Sequence, residues 1–584
     1  MSSSLYSLTE IQRRIDEVKR FLSITLSIAN AHTVEFYTHD AWNRFTAVPP
    51  QEVLQAFSSC NDGTDQQREP QHRRKDQSKT TFGFCNETNR LVDACELLRA
   101  AQAHSLPGLG VCMSREDVLQ AFRDNRAVSR APAAVMGAEM ETDEFMNSKK
   151  SHEVQSMSEV VACLAQHCGV KQVIDVGSGK GYLSSFLSLQ YGLHVYGIDS
   201  SSTNTHGAQE RNRKLKKFSR AYQKHNKAAR AQGKAAHSPQ EESEETKPEV
   251  DGDGDVSYAD AVGIMSQEEE KERDSEPNQE QDFFLSALSL DVMQPTSPRV
   301  SSSQLTAEER ERRKRENLER KAQNRTSASV TFSPLTSYVT AETELRELIN
   351  ELEDAVMVGL HTCGDLAPST LRMFVAKPEL AAVCSVGCCY HLLSEEFDPA
   401  GQECLHGVCG FPLSQYLRQC SWFCGRNARM SACLALERVS LGQGIQMESL
   451  FYRAVLHVIL RDHYSSFKSE KRVGNVYSKA KSFVDYVHRA LRRLELDESK
   501  LSDKDIQDYH DTYKPRMGEM HAFNLLKVTL APCIEGLILL DRLCYLKEQE
   551  DLSFSALVQL FDPLLSPRCY AVVGLKSYKD TISS

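Results

Sequence analysis

Two short apolar runs, Val173-Ile174-Asp175-Val176 and Leu193-His194-Val195-Tyr196-Gly197-Ile198, flank a glycine-rich loop and a helical stretch from Tyr182 to Leu189. Few arrangements satisfy that order. Two strands separated by one helix lie parallel, joined by a crossover helix packed on one face of the sheet. The first run ends in Gly177-Ser178-Gly179-Lys180-Gly181. Glycines there let the backbone turn sharply and approach a ligand with no Cβ in the way. The first amides of the next helix, around Tyr182, favour an anionic group. Asp199 follows Gly177 by 22 positions, at the end of the second strand. A carboxylate at that place accepts hydrogen bonds from ribose hydroxyls. The expected ligand is a nucleoside; a tight turn in some other parallel sheet is the competing reading.

The strand texture resumes far downstream, with Ala355-Val356-Met357-Val358-Gly359-Leu360, Ala381-Ala382-Val383-Cys384-Ser385-Val386 and a last strand within 566–574. Between the two parts, residues 201–335 carry charges in blocks. Arg211 to Lys234 holds ten basic residues and no acid, and Glu241 to Asp282 is mostly acidic. Such blocks bury too little apolar area to offset chain entropy, so a disordered insert is expected. The chain then divides into a helical N-terminal region (1–140), a first half-sheet (141–200), the insert (201–335) and a second half-sheet (336–433). A helical insertion (434–550) and closing strands (551–584) follow. The fold class is α/β, a doubly wound sheet.

Two strands end in unusual residues: one in His361-Thr362-Cys363-Gly364-Asp365, the other in Gly387-Cys388-Cys389-Tyr390-His391. Residues just past the carboxyl ends of parallel strands line the ligand crevice. His361, Asp365, Tyr390 and His391 are therefore expected to converge as catalytic groups: a histidine takes a proton near neutral pH and a carboxylate or hydroxyl orients it. Capping and packing at loop starts is the plainer alternative. Nine of the 18 cysteines lie between Cys363 and Cys433. The paired Cys388-Cys389 invite a metal reading, helped by Cys404-x₄-Cys409 and Cys420-x₃-Cys424, with His406, whose spacing is zinc-like. Buried reduced thiols explain them equally, and no metal ligand is assigned.

The formal charge, 69 − 80 = −11, excludes a broadly basic nucleic-acid coat. A local patch remains. Arg461 to Arg493 holds nine Lys/Arg against three Asp/Glu, interleaved with Tyr464, Phe467, Tyr477, Phe483 and Tyr486. It either tracks RNA and stacks bases or is a helix pair whose aromatics face the core. The insert is the expected contact segment for a protein partner. Arg312-Arg313-Lys314-Arg315 has the form of a nuclear import signal. Neither a secretory signal at Met1–Arg13 nor a membrane span is expected. The apolar stretch near Ile534–Leu540 runs into Asp541 and Arg542. A cytoplasmic or nuclear location follows.

The Asp175–Gly181 loop is similar to motif I of class I S-adenosylmethionine-dependent methyltransferases: G-x-G-x-G after an acid, not the dinucleotide G-x-G-x-x-G. Together with His361-Thr362-Cys363-Gly364-Asp365-Leu366 and Ser385-Val386-Gly387-Cys388-Cys389-Tyr390, it resembles the methyltransferase-like protein 25 family. Lys149-Lys150-x-His152-Glu153-Val154, Phe411-Pro412-Leu413-Ser414 and Leu539-Leu540-Asp541-Arg542-Leu543 carry the same resemblance. It implies a class I methyltransferase (Rossmann-like) fold and S-adenosylmethionine bound at Asp175, Gly177, Ser178, Gly179, Gly181 and Asp199. It implies no acceptor. His361-Thr362-Cys363-Gly364 stands where adenine amino-methylases carry Asp/Asn-Pro-Pro-Tyr/Phe, which argues against base N-methylation. The expected function is methyl transfer, RNA ahead of protein as acceptor. The alternative is a catalytically silent methyltransferase fold serving as an interaction module.

Overall fold

Alternation along each strand decides which side of the sheet every apolar residue joins. In the strand Gln172–Val176, Val173 enters one core and Ile174 and Val176 the other; in Ala355–Cys363, Val356 and Val358 oppose Met357. All five residues of Gln172–Val176 are buried. A strand covered on both faces is the signature of a parallel sheet between helix layers.

The computed structural model describes residues 6–61, 80–124, 146–213, 332–404, 407–442, 447–464, 473–474 and 476–577. A small pair, β1 (Thr80–Thr81) and β2 (Phe84–Cys85), closes a turn near the N-terminus. The sheet takes β3 (Cys112–Ser114), β4 (Gln172–Val176), β5 (His194–Asp199), β6 (Phe332–Thr336), β7 (Ala355–Cys363), β8 (Leu380–Cys388), β9 (Leu552–Gln559) and β10 (Tyr570–Lys576). Their order is β3-β9-β10-β8-β7-β4-β5-β6. Neighbours from β8 to β6 are parallel; β10 runs antiparallel to both β8 and β9. The direction of winding reverses between β4 and β7, and the crevice for a ligand opens at such a switch point. This is the α/β doubly wound class expected from the sequence.

Two boundaries differ from expectation. Residues 202–213 are helical, and Phe332–Thr336 pairs with β5, although 202–213 and 332–335 fall within the insert expected from the charge blocks. The strand is hard to read because Pro334 sits inside it. Its lack of an N–H is tolerated since β6 is an edge strand, with Pro334 opposite Gly197. The remainder of the insert, including Arg312 to Arg315, lies outside the described residues. The helical N-terminal region also contributes a strand: three-residue β3 pairs with β9, too short to leave a period in the sequence.

Ile11, Ile15, Val18 and Leu22 are buried on the helix Leu8–Asn30, which packs along the helix Met517–Lys547. The latter belongs to a stretch long and apolar enough to cross a membrane, yet its most apolar window is 94% buried within the protein. Asp541 on this helix accepts from Leu413 N (2.7 Å), Ser414 N (2.9 Å) and Ser414 Oγ. The two short motifs around Phe411–Ser414 and Leu539–Leu543 are thus halves of one contact that ties the helical insertion to the sheet.

Gly181, at φ 72°, begins the helix Tyr182–Tyr191 under Phe332 and Ala208: a Cβ there would lie 2.9 Å from Phe332 Cζ and 3.0 Å from Ala208 Cβ. Gly181→Ala is expected to lower stability by roughly 1–3 kcal/mol, through left-handed strain plus overpacking. Denaturant unfolding checks this; an unchanged midpoint would show that β6 gives way at no cost.

Candidate active site

The loop after β4 is held by β5. Gly177 N and Ser178 N both donate to Ile198 O, at 2.8 and 3.1 Å, and Gly179 N donates to Asp199 Oδ2 at 3.0 Å. Gly177 and Gly179 have φ of 70° and 54°, a region that favours glycine. A Cβ on Gly179 would meet nothing within 4 Å, so the loop is open beside the Asp199 carboxylate. Asp199 Oδ1 accepts from Ser201 N (2.8 Å) and Asn204 Nδ2 (3.1 Å). A carboxylate offers about four lone-pair sites. Asp199 therefore has room for one further donor, and a ribose diol making two bonds would displace one present partner. The helix Tyr182–Tyr191 has no side-chain cap, and the positive end of its dipole favours an anionic group.

Asp175 and Ser178 are placed differently from their neighbours. Asp175 is 1% exposed and accepts from Ser184 Oγ at 2.6 Å. Burial pushes its carboxyl up to about 7, and the Asp199 charge adds to that; the Ser184 bond and His361 oppose it. It supports the loop from beneath and does not reach the crevice. The Ser178 hydroxyl packs against Gly197, where a Cβ would be 3.0 Å from Oγ, so only the Ser178 backbone serves the loop.

Of the four expected catalytic side chains, the structure brings one to the crevice. His361, on β7, is 40% exposed, and its carbonyl oxygen lies 3.6 Å from the position of a Gly177 Cβ. The other three need correction. Asp365 Oδ1 accepts from Ser394 N (2.8 Å), holding the loop after β8 rather than orienting His361. Tyr390 is 1% exposed, and its hydroxyl donates to Glu535 Oε1 at 2.7 Å. Burial and the Glu535 charge push that hydroxyl well above its ordinary range, so it holds its proton. His391 is 3% exposed, and burial with Arg426 and Arg429 pushes it down to about 4. The chain turns inward after Cys388, which carries Tyr390 and His391 away from the edge.

The partner of His361 is Glu153, on the helix Ser148–Cys168: Nε2 lies 3.3 Å from Oε2. Glu153 is 1% exposed, and Oε1 accepts from Ser566 Oγ at 2.6 Å. Burial pushes its carboxyl up, but the bond and charge of His361, Lys149 and Ser566 outweigh it and bring the group down to about 2. With the His361 ε N–H donated to Glu153, Nδ1 keeps the lone pair and can take a proton from an acceptor. The sequence held a signal for this residue. Glu153 falls at helical spacing with buried Met157, Val160 and Leu164, a lone carboxylate on an apolar face.

Basic groups gather at the same mouth. Lys150 Nζ and the Arg211 guanidinium lie over the Tyr182 ring, 4.5 and 4.0 Å from its centroid. Lys180 is exposed in the loop itself. The stretch from Arg461 to Arg493, by contrast, offers no stacking platform among the described residues: Tyr464, Phe483 and Tyr486 are buried. Tyr477 donates to Glu448 Oε2, and Phe467 lies outside the described residues. The helix Phe483–Leu494 turns its aromatics to the core, and Arg461, Arg489 and Arg492 pair with local acids. Nor do the zinc-spaced cysteines cluster. Cys404 and Cys420 are exposed, Cys409 and Cys424 are buried, and His406 lies outside the described residues.

Comparison with known proteins agrees with the architecture. Residues 149–396 match a family described as "Methyltransferase domain". The chain is 47% identical to "Probable methyltransferase-like protein 25" of Mus musculus, over 98% of each chain. It is 47% identical to the Homo sapiens protein of that name, over 97% of this chain and 98% of the other. No solved structure matches.

Proposed function

From the premise that the chain belongs to the methyltransferase-like protein 25 family, we propose that it is an S-adenosylmethionine-dependent methyltransferase whose acceptor is RNA. The observation that carries the reading is the meeting of the open glycine loop, the Asp199 carboxylate and the His361–Glu153 pair at one edge of the sheet. S-adenosylmethionine supplies an electrophilic methyl group on a sulfonium. Asp199 would accept from the ribose, the glycine loop would give room for close approach, and the helix start would favour the carboxylate. His361 Nδ1 takes the proton of an acceptor hydroxyl as the methyl is transferred, and Glu153 steadies the imidazolium. Holding these groups in one orientation supplies much of the rate.

RNA is favoured as acceptor by Lys150, Arg211 and Lys180 beside the loop, cations suited to backbone phosphates on an otherwise acidic protein. A catalytic role in a cytoplasmic or nuclear RNA pathway accords with this.

Calorimetric titration with S-adenosylmethionine tests the cofactor. The wild type is expected to bind, and Asp199→Ala to bind at least about tenfold more weakly, for loss of charge-assisted hydrogen bonds. No binding by the wild type would sink the enzyme reading and leave the interaction module. Radiolabelled methyl transfer to separated cell RNA and protein then tests the acceptor. Label is expected in RNA, falling with added salt and in Lys150→Ala/Arg211→Ala; label in protein alone would overturn RNA.

A further inference from the structure

Three thiols meet at the carboxyl ends of β7 and β8, in a place the methyl-transfer chemistry leaves unexplained. Cys363 closes β7, Cys388 closes β8, and Cys389 follows. Their Sγ atoms all lie within 4.8 Å of one another, with Cys363 and Cys388 Sγ 2.9 Å apart.

The backbone is bent to make this possible. Consecutive residues of a strand point to opposite faces, so Cys388 and Cys389 would ordinarily diverge. Cys389 instead adopts φ 50°, a left-handed conformation that a side chain bearing a Cβ seldom takes. That turn brings its sulfur back beside Cys388. Strain of this kind persists only where the surroundings over-determine it, and it clusters at functional sites. Two further donors, Cys433 Sγ and His391 Nδ1, lie 3.8 Å from each other, Cys433 within electrostatic range of Cys389 and His391 of Cys363.

Charge gives a second, independent observation. Arg542 is 2% exposed, and its Nη2 has no hydrogen-bond partner among the described residues. Its guanidinium lies against Gly387, where a Cβ would be 2.1 Å from Nη1, adjacent to Cys388. The neighbouring carboxylate of Asp541 is taken by Leu413 and Ser414. By contrast, buried Arg429 pairs with Glu395 at 2.9 Å and Arg568 with Glu535 at 3.1 Å. Arg542 makes no ion pair of its own among the described residues; the Asp541 and Asp365 charges act on it, and the Tyr390 ring centroid lies 5.7 Å from its guanidinium. A buried cation without a direct ion pair is costly, and thiolates around a divalent cation carry net negative charge that would add to its compensation.

We propose that Cys363, Cys388 and Cys389 form a binding site for a thiophilic divalent cation, with zinc as the natural occupant. Zinc–sulfur bonds of about 2.3 Å in tetrahedral array space sulfurs about 3.8 Å apart, so each thiol need move by about 1 Å or less. Each Sγ–metal bond forms as the thiol releases its proton to solvent, and affinity therefore rises with pH. Cys433 and His391 are the nearest candidates for the remaining position. The site differs from the zinc-like spacing of Cys404 to Cys424, which the fold disperses. Its effect is to lock the ends of β7 and β8 together two residues beyond His361. The proposal stands whether or not the chain transfers methyl groups.

The test uses the full chain, reduced and stripped of metal, titrated with Co²⁺. A thiolate-to-cobalt charge-transfer band should saturate at about one cobalt per chain and disappear on adding Zn²⁺. Cys389→Ser should lose the band, and Cys404→Ser/Cys420→Ser, altering two exposed cysteines, should keep it. The proposal is overturned by no saturable band in the wild type, by its survival in Cys389→Ser, or by its loss from the surface variant. Should Cys389→Ser fail to fold, alkylation of the wild type mapped by mass spectrometry decides. Zn²⁺ is expected to protect Cys363, Cys388 and Cys389; equal labelling with and without zinc overturns the site. A Cys363–Cys388 disulfide in metal-free protein isolated without oxidant would overturn it as well.

Discussion

Replacing His361 by alanine is expected to lower methyl transfer roughly 10²–10⁴-fold, the range associated with a positioned general base. Affinity for S-adenosylmethionine should hold, because His361 meets the glycine loop through its carbonyl oxygen, which the substitution keeps. The loss therefore falls on kcat. Glu153→Gln preserves shape and removes charge, and should give a smaller loss in the same parameter. It also carries a stability signature. The Glu153 carboxyl sits at about 2 in the folded protein against an ordinary 4.5, so its contribution is present above about pH 4.5 and fades as the pH falls toward 2. Glu153→Gln should thus cost about 2–3 kcal/mol at neutral pH and progressively less in acid. If His361→Ala turned over the identified acceptor at the parent rate, the base would have to be sought elsewhere on the sheet edge.

Asp175→Asn is expected to stabilise the protein at pH 8 and to do nothing at pH 4. Burial lifts the Asp175 carboxyl from 3.8 to about 7, with the Asp199 charge in support and the Ser184 bond and His361 in opposition. In the unfolded chain that group ionises near pH 4; in the folded protein it stays protonated until near pH 7. Across that window the unfolded state binds fewer protons, so stability falls by about 1.4 kcal/mol per pH unit. The accumulated cost above pH 7 is on the order of 4 kcal/mol. Asparagine keeps a polar group for Ser184 Oγ and cannot ionise, so its advantage should grow from about pH 4 and level off above pH 7. Unfolding midpoints of both proteins across that range measure it. An advantage independent of pH would mean that Asp175 is ionised in the folded state. Cofactor affinity should change little, since the carboxyl lies beneath the loop.

Asp175 shows how far a motif can be read. The strand, the glycine turn and the acid 22 positions beyond Gly177 are local features, legible because their spacing reflects one crossover unit. The placement of the Asp175 carboxyl is not local: it depends on Ser184 reaching back from the helix. Tyr390 and His391 teach the same lesson more sharply. Their position after a strand end suggested the crevice, but the left-handed turn at Cys389 and the buried Glu535 and Arg568 drew them inside. Glu153 went unassigned because its partner lies 208 positions away (361 − 153). Phe332–Thr336 was lost in the insert because a proline is a poor strand signal except at an edge, and edges exist only once the sheet is assembled.

By itself the sequence determined the parallel sheet, its glycine loop, the acid at the end of β5 and the long interruption between its halves. These follow from period, turn residues and charge blocks, which act over a few residues. Only the tertiary structure decided which histidine meets a carboxylate, where basic groups gather and which cysteines touch. Those contacts join β7 to the helix before β4, the glycine helix to the residues after β5, and β7 to β8. Side chains far apart in the chain become neighbours only when the two apolar faces of the sheet are covered, and that burial is a property of the whole fold.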